Sequence, residues 1–311
     1  MSSMPTDMGG VLFSIVVPSY NRAHLIERTL ASLLAQTESS FEIIVVDDGS
    51  TDATGAVVAT ITDPRVSYHW KANGERGAAR NYGAARSRGA YINYFDSDDL
   101  AHPNHLAEAR LLIARRDRPP AFHLRCDTRT VDGRVIVRSR AANRATGQIA
   151  PEILLQGNAL HTCGVFLRRD VALAYPFEED HASPGEDWVL WLRLIARFPM
   201  FENDEVTSTL IQHEGRSVRA TTLEQLEDRT WRIRAFLARD DAFIRRFGVS
   251  GLDTVEAHMH TYTALHSAMA GYGLAPVLRH LSAAVRRDPR ELFRRRTLAA
   301  LKHVWLRRIN P

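Results

Sequence analysis

The first hundred residues alternate two kinds of segment, and this alternation restricts the fold more than any other feature of the chain. Leu12 to Pro18 (LFSIVVP), Phe41 to Val46 (FEIIVV), Val66 to Trp70 and Ala90 to Phe95 are short, apolar and β-rich, as strands buried on both faces must be. Between them, Ala23 to Gln36 carries Leu25, Ile26, Leu30, Leu33 and Leu34 on one helical face. Ala53 to Ile61 follows capping side chains at Ser50 or Asp52, and Ala78 to Ser87 reads as a third helix. Strands separated by helices of about ten residues form βαβ units. The pattern therefore predicts an α/β fold, Rossmann-like, with a mostly parallel sheet and helices on both faces.

In such a sheet ligands sit beyond the carboxyl ends of the strands. Pro18-Ser19-Tyr20-Asn21-Arg22 follows the first predicted strand, Asp47-Asp48-Gly49-Ser50 the second, and Asp96-Ser97-Asp98-Asp99 the fourth. All three polar clusters are thus expected on one edge. The last places three carboxylates within four residues, which repel unless a cation or hydrogen-bond donors compensate. Asp98 or Asp99 could cap a helix entered through Pro103; a divalent cation held by hard oxygen ligands would use more of the acids. Neither G-x-G-x-x-G nor G-x-x-x-x-G-K-[ST] occurs, so dinucleotide and P-loop fingerprints are excluded.

Past residue 120 the pattern changes. Ala121 to Cys126 and Arg134 to Arg138 flank Asp132-Gly133 as a hairpin, Leu160 to Arg168 (LHTCGVFLR) reads as a strand, and Asp187 to Arg197 as a helix with Trp188, Trp191, Leu192 and Ile195 on one face. From about Arg219 only helical patterns remain: Leu223 to Phe247, Thr254 to Ala270, Ala275 to Arg286 and Glu291 to Ile309. Two cysteines, Cys126 and Cys163, make no disulfide framework. No apolar run approaches the roughly 20 residues of a membrane span, and Met1 to Gly10 lacks the regions of a signal peptide, so a cytoplasmic protein is expected. The net charge of +4 is concentrated: Arg286 to Arg308 holds nine Lys or Arg against two acids, leaving the rest net acidic. A nucleic-acid partner for the body is not implied. In the last helix Leu298, Leu301, Trp305 and Ile309 share a face, with Arg294, Arg295, Lys302 and Arg308 largely elsewhere. This basic amphipathic tail, 286–309, either lies on an anionic membrane surface as a peripheral contact or packs on the body with a solvated basic face.

The segments FSIVVPSYNRAHLIERTLASLLAQ, FEIIVVDDGSTDAT, NGERGAARNYGAARSRGAYINYFDSDD and GEDWVLWLRL resemble, in order and spacing, the successive motifs of family 2 glycosyltransferases, inverting enzymes of the GT-A fold. The resemblance covers roughly residues 10–220. It implies a catalytic domain there, with a nucleotide-binding half at 10–100 and an acceptor half at 101–220, followed by a helical C-terminal extension at 221–311. Asp96-Ser97-Asp98 matches the family's D-x-D motif. By that match Asp98 ligates Mn²⁺ or Mg²⁺, Asp96 contacts the ribose or the metal's water shell, and Asp99 shares the metal or orients the neighbouring backbone. Asp48 matches the acid that accepts from uracil N3 in UDP-using relatives, and Pro18 and Tyr20 match residues that pack on the base. Arg80 and Asn81 lie in the family's A-R-N segment near the donor, with Asn21 a further donor-side candidate; Gly74, Gly77 and Gly83 would allow close approach of chain to ligand.

Glu186-Asp187 matches the family's E-D pair, in which the Asp is the general base. His213, in Leu210-Ile211-Gln212-His213-Glu214-Gly215-Arg216-Ser217, resembles the closing Y-R-x-H-x-G-x-x-S segment and is a candidate phosphate or metal contact, although Leu210 and Ile211 replace the Tyr and Arg. His102 and His105 are read as facing solvent or acceptor along the helix after Pro103. The implied activity is metal-dependent transfer of a hexosyl or N-acetylhexosaminyl unit from a nucleotide sugar, UDP-linked, to a saccharide or lipid-linked saccharide in surface-glycan synthesis. Two competing readings are a sugar-phosphate nucleotidyltransferase, which would carry a Gly-rich loop after the first strand, and a non-catalytic glycan or nucleic-acid binding module.

Overall fold

The computed structural model describes residues 11–137, 141–179, 185–213 and 222–309. It divides into two compact units. The first contains the sheet, whose strands are β1 (Phe13–Ser19), β2 (Phe41–Asp47), β3 (Val66–Trp70), β4 (Tyr91–Tyr94), β5 (Leu100–Ala101), β6 (Ala121–Arg129), β7 (Val135–Val137), β8 (Val165–Arg168) and β9 (Met200–Ile211). Their spatial order is β3-β2-β1-β4-β8-β6-β9-β5, with β7 paired to β6. The first four strands are parallel, and β8 runs antiparallel between β4 and β6. β6 and β9 pair in parallel.

Helices cover both faces because alternate strand residues point to opposite sides. Phe13, Ile15, Val17, Phe41, Ile43 and Val45 enter one apolar core with Ile26, Leu30 and Leu33 of α1 (Ile26–Leu34) and Leu106, Ala109 and Leu112 of α4 (His105–Arg115). On the other face α3 (Glu75–Arg86) lies so close to β1 that a Cβ on Gly83 would stand 2.4 Å from Val16 Cγ1. Gly77 likewise abuts the Glu178 carbonyl and Gly74 the Lys71 ammonium. Gly77 and Gly83 therefore make room for protein atoms, while Gly74 meets the flexible end of a lysine side chain.

Other local expectations also shift. α2 (Thr54–Ala59) has Ala53 at its N-cap with no side-chain cap. Ser50 instead accepts from the Asn21 N–H, and Asp52 bonds the Thr54 and Ala23 N–H groups. The hairpin forms, with β6 longer than expected and Gly133 in the left-handed region. The strand expected from Leu160 begins at Val165, because Thr162–Gly164 forms a 3₁₀ turn. β9, twelve residues with the acids Glu202, Asp204 and Glu205, carries no clear alternation and was not foreseen. Short helices α5 (Pro151–Leu155) and α6 (Arg169–Ala174) complete the connections. In α7 (Glu186–Ile195) Trp188, Val189, Leu190, Trp191, Leu192, Leu194 and Ile195 are all buried, so this helix is enclosed nearly all round and not along one face.

The second unit joins the described residues from 222 onward to Pro151–Ala159 and Trp191–Arg197. Thr222 and Gln225 form a capping box at the start of α8 (Leu223–Ala238). Asp240, which accepts from the Phe243 N–H and pairs with Arg193 and Arg197, starts α9 (Asp241–Ala270). An additional break falls at 239–240, and the one expected after Phe247 is present at Gly248, whose non-helical backbone (φ 63°, ψ −167°) separates two helical segments of α9. α10 (Leu274–Arg287) and α11 (Arg295–Ile309) follow. Ala264, Ala268, Val277, Leu281 and Ala300 form their core. α11 turns Thr297 and Ala300 inward and leaves Leu298, Leu301 and Trp305 58%, 40% and 61% exposed. The apolar stripe read from the sequence is therefore the outer face; the side chains of Arg308 and Ile309 lie outside the described residues.

Candidate functional site

Strand direction assembles the site. β1, β2 and β4 deliver their carboxyl ends to one edge. β8, being antiparallel to β4, delivers its amino end there, and β9 shares the sense of β4 and returns its carboxyl end to the same side.

Beyond β1, Pro18 is buried and Tyr20 is 48% exposed. Asn21 adopts φ 52°, and its side-chain carbonyl accepts from the Thr51 N–H at 2.8 Å and the Asp52 N–H at 3.3 Å. It binds the first loop to the second. Beyond β2 the two acids divide their work. Asp47 holds the turn, accepting from the Ser50 N–H at 2.7 Å and the Tyr68 hydroxyl at 2.6 Å. Asp48 accepts, at one oxygen, from Lys71 Nζ at 2.6 Å and the Gly74 N–H at 3.1 Å.

The three acids after β4 have three different settings. Asp96 pairs with Arg80 Nη2 at 2.9 Å, its side chain 24% exposed. Burial opposes its ionisation, but Arg80 and then His161 hold it below the usual carboxylate range. Asp98 pairs with His213 Nε2 at 2.8 Å. Asp99 is fully buried, accepting from the Ile211 N–H at 2.9 Å and from the Cys163 thiol at 3.4 Å, with His161 Nε2 3.7 Å away. Neither Asp98 nor Asp99 caps α4, whose N-cap is Asn104. Asp99, His161 and Cys163 each present one ligand atom within 4.8 Å of the others. This mixed set suits a borderline cation, whereas Asp96 and Asp98 offer only hard oxygens. Burial, and then the charges of Asp99 and Asp96, push the Cys163 thiol up, so it stays protonated and donates.

α7 opens at this edge. Arg80 lies on α3, 2% exposed, with Nη1 on Glu186 Oε1 at 2.7 Å and its guanidinium over the Phe177 ring. Arg76 Nε stands 3.7 Å from the same oxygen. Burial would raise Glu186, yet Arg76 and Arg80 hold it down at about 2. Its neighbour Asp187 moves the other way, raised first by burial and then by the Glu186 charge. Asp187 Oδ1 accepts from the Trp188 N–H at 2.7 Å, and Thr162 Oγ1 stands 3.5 Å from Oδ2. Adjacent carboxylates with opposed shifts divide into a permanent anion and a proton acceptor.

Asn81 bonds the Phe177 backbone through both ends of its amide and also donates to Glu179, so it pins the loop whose Phe177 ring lies under Arg80. His105 does not face solvent, and His102 is half-buried. His102 bonds Val206 O and Thr209 Oγ1, and His105, fully buried against Thr207, is lowered to about 3 by burial and then by the charges of His102 and His123. The unforeseen β9 supplies these partners. Glu214 to Ser217 of the closing segment lie outside the described residues, while Leu210 and Ile211 are buried strand residues. Sequence reasoning missed Lys71, Arg76, His161, Thr162 and Cys163. For Lys71 the only signal was position at a strand end, for residues 161–163 the same signal depended on knowing that β8 runs backward, and Arg76 lies one turn before Arg80 on α3.

A sequence model described as glycosyl transferase family 2 matches residues 14–172. The chain is 33% identical over 256 residues to the succinoglycan biosynthesis protein ExoO of Rhizobium meliloti, covering 77% of this chain and 70% of that protein. Among solved structures, S. aureus TarS 1-349 in complex with UDP-GlcNAc aligns with a TM-score of 0.71 at 17% identity, over 96% of this chain and 92% of that one. The mannosyltransferase PcManGT from Pyrobaculum calidifontis, in complex with GDP-Man and Mn²⁺, aligns with a TM-score of 0.58 at 20% identity, over 97% and 88%.

Proposed function

Since the chain belongs to glycosyltransferase family 2, we propose that it transfers a sugar, with inversion, from a UDP-linked donor to a hydroxyl of a saccharide or lipid-linked saccharide in surface-polysaccharide assembly. The observation that carries this reading is the meeting at one sheet edge of Asp48, the Asp96-to-Asp99 acids and the Glu186-Asp187 pair, the last two joined through Arg80. Likeness to ExoO supports the polysaccharide context, and likeness to a UDP-GlcNAc complex supports the donor class.

In this reading Tyr20 and Pro18 pack on the base and Asp48 accepts from its imide N–H. Asp98 and Asp96 hold Mn²⁺ or Mg²⁺, with Asp99 and His213 behind them; their hard oxygens fit such a cation. When bound, the ion neutralises charge developing on the departing diphosphate. Asp187 takes the proton from the acceptor hydroxyl as its oxygen attacks the anomeric carbon, and the carbon–oxygen bond to the diphosphate breaks on the opposite face. The carboxyl raised by burial is the stronger base of the pair, while Glu186 stays ionised.

The test is UDP release across a panel of nucleotide sugars and acceptors with and without Mn²⁺, followed by anomeric analysis. Turnover with a UDP-sugar and an inverted product is expected; a retained configuration would overturn the single displacement.

No helix among the described residues is long and apolar enough to cross a membrane. The outward stripe of α11, together with Phe293 at 80% exposure and the basic residues Arg295 and Lys302, suits peripheral contact with an anionic lipid surface where a lipid-linked acceptor would reside. Replacing Leu298, Leu301 and Trp305 together by Ser should abolish flotation with phosphatidylglycerol-containing liposomes. Flotation equal to that of the parent protein would remove the membrane contact.

A further inference from the structure

Arg80 does something its sequence position does not announce. An arginine beside a nucleotide site is ordinarily a phosphate ligand, because its planar fork matches two oxygens. Here both prongs are already spent inside the protein, Nη1 on Glu186 Oε1 at 2.7 Å and Nη2 on Asp96 Oδ1 at 2.9 Å. The side chain is 2% exposed, and its Nε, also buried, has no hydrogen-bond partner among the described residues. Turning toward a diphosphate would leave Glu186, itself buried, with the Gly185 N–H at 2.9 Å and, as its cation, Arg76 at 3.7 Å.

Its two partners belong to different parts of the site. Asp96 opens the turn after β4, and Glu186 is the first residue of α7, directly before Asp187. The Glu186 carboxylate is also fixed from behind by the Gly185 N–H at 2.9 Å, so the contact orients the helix start and not merely a free side chain. We infer that Arg80 is a positioning residue, a strut that sets Asp187 against the donor-side acid Asp96, and that it does not itself hold the donor diphosphate. The inference rests on the reading of Asp187 as base and Asp96 as donor contact. A strut of this kind requires the fork: a lysine at position 80 reaches one carboxylate or the other, since its single ammonium is a point charge.

Full-length Arg80→Lys, Glu186→Gln and the double variant decide the matter. The assays are UDP affinity by calorimetry and turnover of whichever UDP-sugar the parent enzyme uses. Arg80→Lys should lower kcat on the order of 100-fold, the scale of an ångström-sized misplacement of a reacting group, while UDP affinity stays within roughly threefold of the parent. Glu186→Gln should show the same pattern, and the double variant should be no worse than the poorer single one, because both cut one strut. If Arg80→Lys fails to fold by circular dichroism, the nearly isosteric Glu186→Gln carries the test with the same expected split. UDP affinity weakened about tenfold or more in Arg80→Lys with kcat largely kept, or losses that add in the double variant, would overturn the strut and return Arg80 to the diphosphate. Absence of turnover by the parent enzyme with every nucleotide sugar would instead bring down the transferase reading, and the strut with it.

Discussion

Asp187→Asn is expected to cost on the order of 10²- to 10⁴-fold in turnover, the span of a lost general base, while UDP binding measured by calorimetry is unchanged. The substitution keeps the shape and can still accept from the Trp188 N–H at 2.7 Å, so helix α7 should start as before. What it removes is the one carboxyl of the pair that can take up a proton. Burial and the Glu186 charge raise Asp187, and a base works only when ionised, so the parent enzyme should lose rate as pH falls through that raised pKa. The acid limb should accordingly lie above the ordinary aspartate value of about 3.9. Glu186 has the opposite sign: held down at about 2, it contributes stability above its unfolded value, and that contribution is lost as pH falls toward 2. An Asp187→Asn enzyme that keeps its turnover would remove Asp187 from the chemistry.

The second large effect is expected at Asp98. Asp98→Asn should weaken Mn²⁺ binding in the presence of UDP by at least about tenfold and lower Mn²⁺-supported turnover with it. An amide oxygen is a poorer ligand for a hard cation than a carboxylate, and even outer-sphere changes reach this scale. The fold should tolerate the change, since the amide can still bond His213 Nε2, now 2.8 Å from the carboxylate. Electron paramagnetic resonance of free Mn²⁺ gives the affinity directly, without needing the acceptor. Parent turnover that survives exhaustive chelation, together with unchanged Mn²⁺ affinity in the variant, would exclude Asp98 as a ligand.

Much of this site is legible in the sequence because it is written in strand ends. Apolar runs of four to seven residues followed at once by Pro18-Ser19-Tyr20, Asp47-Asp48 and Asp96-Ser97-Asp98-Asp99 announce both the sheet and its functional edge. The helix at Asp187 was legible for the same reason, from its tryptophans. Two kinds of feature were not. His102 and His105 look like solvent- or acceptor-facing residues at a helix entrance, yet β9 lies against both, burying His105 and half-covering His102, and β9 has no periodicity to betray it. Arg80 looks like a phosphate ligand and is consumed by two carboxylates, one of them 106 residues away.

The class of fold, the edge where chemistry collects and the residue types assembled there can be read along the chain. These follow from hydrophobic period and local charge, which act over a few residues. How the acids divide their labour is set by long-range contacts: Asp98 toward His213, Asp99 into a buried cluster with Cys163, Asp96 onto Arg80. The physical reason is that a buried carboxylate is defined by which donors reach it. Those donors come from α3, from the turn that precedes β8, and from β9 and the residues just after it, elements whose direction and pairing no local pattern specifies.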